Sequence, residues 1–166
     1  MATYEPSDII YTSEHFILVR QPRPFVSREE GGNMRIYAKR EGVQERRDFT
    51  PQEAVDFIRL SAAAGEALEK GMNKRGVKVV KINYAELGNW AYKFGHTLVF
   101  HEHIFGRVLG APHQPYPEAV QLPDRASGFY DTFKPLDDDD LRAIKTELEA
   151  ILAAPKFSDK SRWKLV

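Results

Sequence analysis

The chain has 166 residues, 42% hydrophobic and 29% charged, the balance of one folded globular domain rather than a disordered segment. Lysine plus arginine equals aspartate plus glutamate at 24 each, which argues against a broad grip on extended nucleic acid and leaves room for a local basic pocket. The absence of cysteine excludes disulfides, thiolate metal sites and a cysteine nucleophile.

Met1 to Ile10 lacks the basic-then-apolar pattern of a secretory signal, and no run approaches the roughly 18 apolar residues of a membrane span, so a cytoplasmic location without membrane attachment is expected. Ile9 to Tyr11 and His15 to Val19 are rich in β-branched and aromatic residues and read as strand, ended by Pro22 and Pro24. A loop from Ser27 to Asn33 turns at Gly31-Gly32 into a second strand, Met34 to Ala38, which pairs antiparallel with the first. A long helix starts at Thr50, with Pro51 at its first position and Glu53 completing a capping box. Val55, Ile58, Ala62, Gly65, Leu68 and Met72 recur at helical spacing as its apolar face, and Gly76 follows its basic end.

Val77 to Tyr84 reads as a strand, and turns at Gly88-Asn89 and Gly95 lead to another, Thr97 to Phe105. Gly106 to Pro135 is broken by Pro112, Pro115, Pro117 and Pro123; so long an irregular stretch covers a site or wraps a surface. A final helix begins at Asp137–Asp140, with Leu141, Ile144, Leu148 and Ile151 as its buried stripe, and Pro155 ends it. A single α+β domain over 1–154 is therefore expected, with 155–166 as a basic appended tail.

The strand before Gly106 carries the most unusual residues. Side chains alternate along a strand, so Val99, His101 and His103 share one face while Phe100, Glu102 and Ile104 share the other. Imidazole is partly neutral and partly charged near pH 7. One ring can attack phosphorus while its neighbour donates a hydrogen bond to the oxyanion. Taken alone, the pair also fits a solvated surface strand or an adventitious two-histidine metal site.

The flanking sequence adds context: Asn83, Gly88-Asn89, Gly95-His96-Thr97, the histidine strand, then Gly106-Arg107. This resembles the histidine-triad (HIT) superfamily, whose hallmark is His-φ-His-φ-His-φ-φ, with φ apolar, on a strand preceded by an Asn-bearing strand and a Gly-rich turn. The order of elements fits as well, over residues 9 to 107. The resemblance implies an antiparallel sheet with one long central helix and a C-terminal helix, and a homodimer. It places His101 at the nucleophile, attacking the α-phosphate of a nucleotide to form a transient nucleotidyl-histidine, and His103 at the phosphate. It places Asn83, Gly88 and Asn89 near ribose or phosphate, with Arg107 as a local positive charge. No metal or other cofactor is needed, because histidine supplies the nucleophile.

The sequence also departs from the pattern. Val99 stands where the first histidine belongs; its carbonyl can still fix the tautomer of His101. Glu102 replaces an apolar residue, so that face is either less buried or gives Glu102 a basic partner. Arg20 stands where the family often carries a ribose-binding Asn, and reads as a ligand for a second phosphate or as a surface residue. His96 falls on the opposite face unless a bulge re-aims it.

Two other functions compete with a nucleotide hydrolase or nucleotidyl transferase. One is a nucleotide-binding protein of the same fold with little catalysis. The other is a metalloenzyme using His101, His103 and either His96 or His113, ranked last because that strand face has no spaced carboxylate. Asp137–Asp140 is read as a helix cap rather than a cation site. Trp90 or Tyr92 could stack a base, and Tyr116, Phe129 and Tyr130 could form a lid or a dimer contact. No P-loop or dinucleotide fingerprint is present.

Overall fold

The computed structural model describes residues 4–164. Five strands, β1 (Ile9–Thr12), β2 (Phe16–Arg20), β3 (Asn33–Ala38), β4 (Val79–Glu86) and β5 (His101–Val108), form one antiparallel sheet in the order β1-β2-β3-β5-β4. Helix α1 (Pro51–Lys74) connects β3 to β4, α2 (Asn89–Lys93) lies between β4 and β5, and α3 (Asp138–Ala153) and α4 (Pro155–Ser158) close the chain. This is the expected α+β arrangement.

One face of the sheet carries Phe16, Leu18, Met34, Ile36 and Ile104, all buried against Phe57, Leu60, Ala64 and Leu68 of α1. The capping box at α1 is formed: Thr50 Oγ1 accepts from Glu53 N, and Glu53 Oε2 accepts from Thr50 N at 2.7 Å. Glu53 also takes Arg40 bidentately, and the guanidinium holds its carboxyl down at about 2. Gly65, Leu68 and Met72 are buried as expected, but the first half of the helix turns another side inward: Ile58 is 50% exposed and Ala62 is exposed, while Phe57, Leu60 and Ala64 are buried. The small, regularly spaced residues gave the period, but Phe57 and Leu60 bury more area and set the phase.

The other face carries a second cluster of Phe25, Val26, Phe105 and Tyr130. The Pro-rich segment 109–137 wraps over this face, so β5 is covered on both sides. β5 begins at His101, four residues later than expected, because Tyr37 is the last partner on β3 and Glu86 the last on β4. It runs on through Gly106 to Val108, which the sequence reading had placed in the loop.

The acidic run is a cap: Asp137 accepts from Asp140 N at 2.8 Å, and fully buried Asp140 is ion-paired with Arg28 and Arg75. Residues 156–164 are no appendage. Phe157 is buried in the core and stacks on Trp163, and Arg59 donates to its carbonyl. Residues 165 and 166 lie outside the described residues. Among the described residues no helix is long and apolar enough to cross a membrane.

The turn at Arg28–Glu30 docks on β5 through two glycines, with Gly106 N donating to Gly32 O at 3.1 Å. A Cβ on Gly106 would fall 2.2 Å from Gly31 O, a backbone atom that cannot swing away. Gly106→Ala should therefore cost about 2–3 kcal/mol of stability. Urea unfolding reads this as a lower midpoint; a change under about 0.5 kcal/mol would show that the two backbones separate freely.

Candidate active site

Pairing between β3 and β5 sets Tyr37 opposite His101 and Arg35 opposite His103. All four side chains line one cavity of about 710 Å³, a size suited to a small organic ligand. Gly88, Asn89 and Trp90 at the start of α2, together with His96 and Val99, line it too. Phe25 and Phe94 add further aromatic wall.

His101 and His103 lie with ring centroids 5.0 Å apart, edge to face. His101 Nδ1 is 3.0 Å from Val99 O. A carbonyl can only accept, so Nδ1 carries the proton and Nε2 keeps its lone pair. His103 is buried, stacked on Phe105, and its Nδ1 faces Arg35 Nε at 3.4 Å. A guanidinium can only donate, so His103 Nδ1 is the acceptor and its proton sits on Nε2.

The two neighbours thus hold opposite tautomers, one a base or nucleophile and the other a donor. Burial, then the Arg35 charge, lowers the pKa of His101. Burial, Arg35, His101 and Arg125 push His103 well below the usual imidazole value of 6.5. Both rings are neutral at neutral pH.

On the other face of the strand Glu102 is buried, not solvent-facing. It accepts from Ser61 Oγ at 2.5 Å and Arg46 Nη2 at 2.9 Å; burial raises its pKa, while those two partners oppose the rise.

Gly88, Asn89 and His96 line the cavity. His96 does so because Thr97 to Phe100 are not strand, so the alternation that placed it on the far face does not operate. Three other expected residues are engaged elsewhere. Arg107 is 1% exposed and donates to Asn83 Oδ1 at 2.7 Å and to the carbonyls of Gln114, Pro115 and Glu118. It staples the Pro-rich segment to the sheet, and the same bond occupies Asn83. Arg20 is held by Asp8 and Asp138, which raise its pKa, and by Leu136 O.

Arg35, Tyr37 and Phe25 were missed. Alternation put Arg35 and Tyr37 on one face of β3, but only the β3–β5 register brings that face to the histidines. Tyr92 is 94% exposed and lines no wall, whereas Trp90 does. Among the described residues no three His, Asp or Glu side chains gather into a metal-binding group, so the metalloenzyme reading lacks its ligand set.

Solved structures match this fold over nearly the whole chain. A histidine triad protein from Sinorhizobium meliloti 1021 superposes with a TM-score of 0.60, at 17% identity over 87% of this chain and 88% of that one. One from Marinobacter aquaeolei VT8 gives 0.57, at 17% identity over 87% of each chain. The chain has the histidine-triad fold. A third match, a hypothetical histidine triad nucleotide-binding protein from Sulfolobus tokodaii strain7, gives a TM-score of 0.54 at 12% identity, covering 87% and 85% of the two chains. No family model and no curated protein matches the sequence.

For this HIT-fold chain, imidazole nitrogen spectra at about pH 7 should show His101 as the Nδ1–H and His103 as the Nε2–H tautomer. Arg35→Gln should raise both titration midpoints by removing a nearby positive charge. A His103 already charged at about pH 6, or midpoints unmoved by the substitution, would contradict this electrostatic account.

Proposed function

We propose that the chain binds a nucleoside phosphate in this cavity and transfers its α-phosphoryl group through a nucleotidyl adduct on His101. The observation that carries the reading is the Nδ1 contact of His101 with Val99 O at 3.0 Å, which leaves Nε2 as a neutral nucleophile beside a donating His103. His101 Nε2 attacks phosphorus, the bond to the leaving group breaks, and His103 Nε2–H steadies the charge on the phosphoryl oxygens. Water or another acceptor then releases the nucleotide. Trp90 and Phe94 offer apolar faces for a base, and the description of the Sulfolobus tokodaii neighbour as nucleotide-binding supports the ligand class.

A homodimer belongs to the same reading. β4 is an outer strand with one edge unpaired, Tyr84 is 44% exposed where it rests on Gly65, and Ile58 and Ala62 extend that side of α1 as an exposed apolar strip. Sedimentation should give twice the chain mass and Tyr84→Arg should shift it towards the monomer. A wild-type monomer at micromolar concentration would remove this element.

A second reading, nucleotide binding with little turnover, is favoured by Val99, which brings a carbonyl to the site but no imidazole of its own on the histidine strand. One experiment separates the two: intact mass and product analysis after incubation with an adenosine phosphoramidate and a dinucleoside polyphosphate, beside His101→Ala. Release of AMP, with a nucleotidyl mass gain absent from the variant and turnover lowered at least about 100-fold, is expected. Bound nucleotide with neither product nor adduct would establish the second reading. Full turnover by His101→Ala would overturn the first.

Because His101 must be neutral to attack, kcat/KM should fall only on the acid side, with an apparent pKa below 6.5, and stay level through neutral pH. A profile still rising above about pH 7 would place a different base in the reaction.

A further inference from the structure

Strand β3 brings Arg35 and Tyr37 to the cavity wall, and the reaction proposed above uses neither. Tyr37 stands across the strand pair from His101, with ring centroids 5.8 Å apart, and its ring also contacts Tyr4 at 5.5 Å. It is buried, and its Oη accepts from Arg35 Nη1 at 2.9 Å. A phenol has one hydrogen to give, and among the described residues the Tyr37 hydroxyl hydrogen has no acceptor. His96 also lines the cavity, from irregular chain between α2 and β5; Tyr37 is fixed beside His101 by strand pairing.

Arg35 strengthens that donor. Among the described residues it has no carboxylate within 4.0 Å. Its partners are neutral: Tyr37 Oη, His103 Nδ1 and, with the Gln21 amide turned to satisfy it, the Gln21 oxygen. The guanidinium charge is therefore spent on polarising these groups. A hydroxyl whose oxygen accepts from a cation gives its own hydrogen more strongly, and more so where water is excluded.

Position decides which atom receives it. In-line attack sends the leaving group to the side of phosphorus away from the nucleophile and leaves the non-bridging oxygens around its waist. Groups that flank His101 therefore face the non-bridging oxygens. His103 flanks it along β5, and Tyr37 flanks it from β3.

We propose that the Tyr37 hydroxyl, backed by Arg35, is a catalytic donor to a non-bridging oxygen of the phosphoryl group, paired with the His103 Nε2–H. This rests on the function proposed above. As the bond from His101 Nε2 to phosphorus forms and the bond to the leaving group breaks, the two donors hold the charge on the non-bridging oxygens from two adjacent strands. Tyr37 gives a hydrogen bond and keeps its proton throughout. Because both donors are in place before the ligand arrives, they need no reorganisation during the reaction.

Tyr37→Phe keeps the ring and removes the hydroxyl alone. Its kcat for adenosine phosphoramidate should fall at least about tenfold. Sulfur is a poor hydrogen-bond acceptor, so the two diastereomers of the α-thio analogue should respond unequally. The one with sulfur facing Tyr37 should lose less, and the ratio of their kcat/KM values should change at least about threefold. An unchanged kcat, or a loss shared equally by both diastereomers as a merely structural role would give, overturns the proposal.

Calorimetric titration with AMP and with adenosine reads the donor without turnover. Tyr37→Phe should weaken AMP binding about fivefold and leave adenosine, which lacks the phosphate, within about twofold. No AMP binding by the wild type, or equal AMP affinity in the two proteins, overturns it. If the wild type turns over no nucleotide but the loss of AMP affinity is seen, the phosphoryl-transfer reading fails and Tyr37 stands as a phosphate donor.

Discussion

Strand β5 is hydrogen-bonded on both edges and covered on both faces, and the whole site depends on its register. A slip of one residue would turn His101, His103 and Phe105 into the helix-side core and send Phe100, Glu102 and Ile104 into the cavity. Apolar residues on both faces discriminate weakly between these two arrangements. Polar residues do so strongly: Glu102 is satisfied only where Ser61 and Arg46 reach it, and Arg107 only where Asn83 and the carbonyls of the Pro-rich segment surround it. A buried charge without partners costs several kcal/mol, so these two residues hold the histidines in phase.

The Pro-rich segment supplies what the sheet lacks on its second side. Gln114, fully buried, donates to the carbonyls of Phe25 and Gln121 and accepts from Gln121 N. Glu30 takes the backbone amides of His113 and Gln114 together with the His113 ring. With Arg107, these bonds satisfy backbone groups that irregular chain over a sheet would otherwise leave buried and unpaired. The aromatic group of Phe25, Phe129, Tyr130 and Phe133 fills the space between.

Local rules made much of this visible in advance. Strand alternation put the two histidines on one face, and the capping residues Thr50 and Asp137 began their helices where the sequence placed them. What depended on partners distant in sequence was hidden. Arg35 and Tyr37 looked like an ordinary strand face until β3 proved to lie beside β5, and Arg125 is separated from Phe25 by a hundred positions. Arg20, Asn83 and Arg107 were expected at the ligand because of their chemistry, yet each is drawn to a nearer partner. Phe157 was overlooked because a short basic tail gives no periodicity from which to read one buried ring.

The valine at position 99 looks like damage only if the missing imidazole has work to do. Its backbone carbonyl alone orients His101, and any residue supplies a carbonyl. A further imidazole would contribute a proton or a positive charge, and His96 already lines the same cavity. Positive charge is already present beside the histidines in Arg35, which lines the same cavity and faces His103 Nδ1 at 3.4 Å. Burial first, and then nearby arginine charge, lowers the pKa of both rings. On the proposed function, nucleophile, donor and counter-charge fall on different side chains: His101, His103 and Arg35. A site divided in this way can lose its first histidine and keep each function that the chemistry requires.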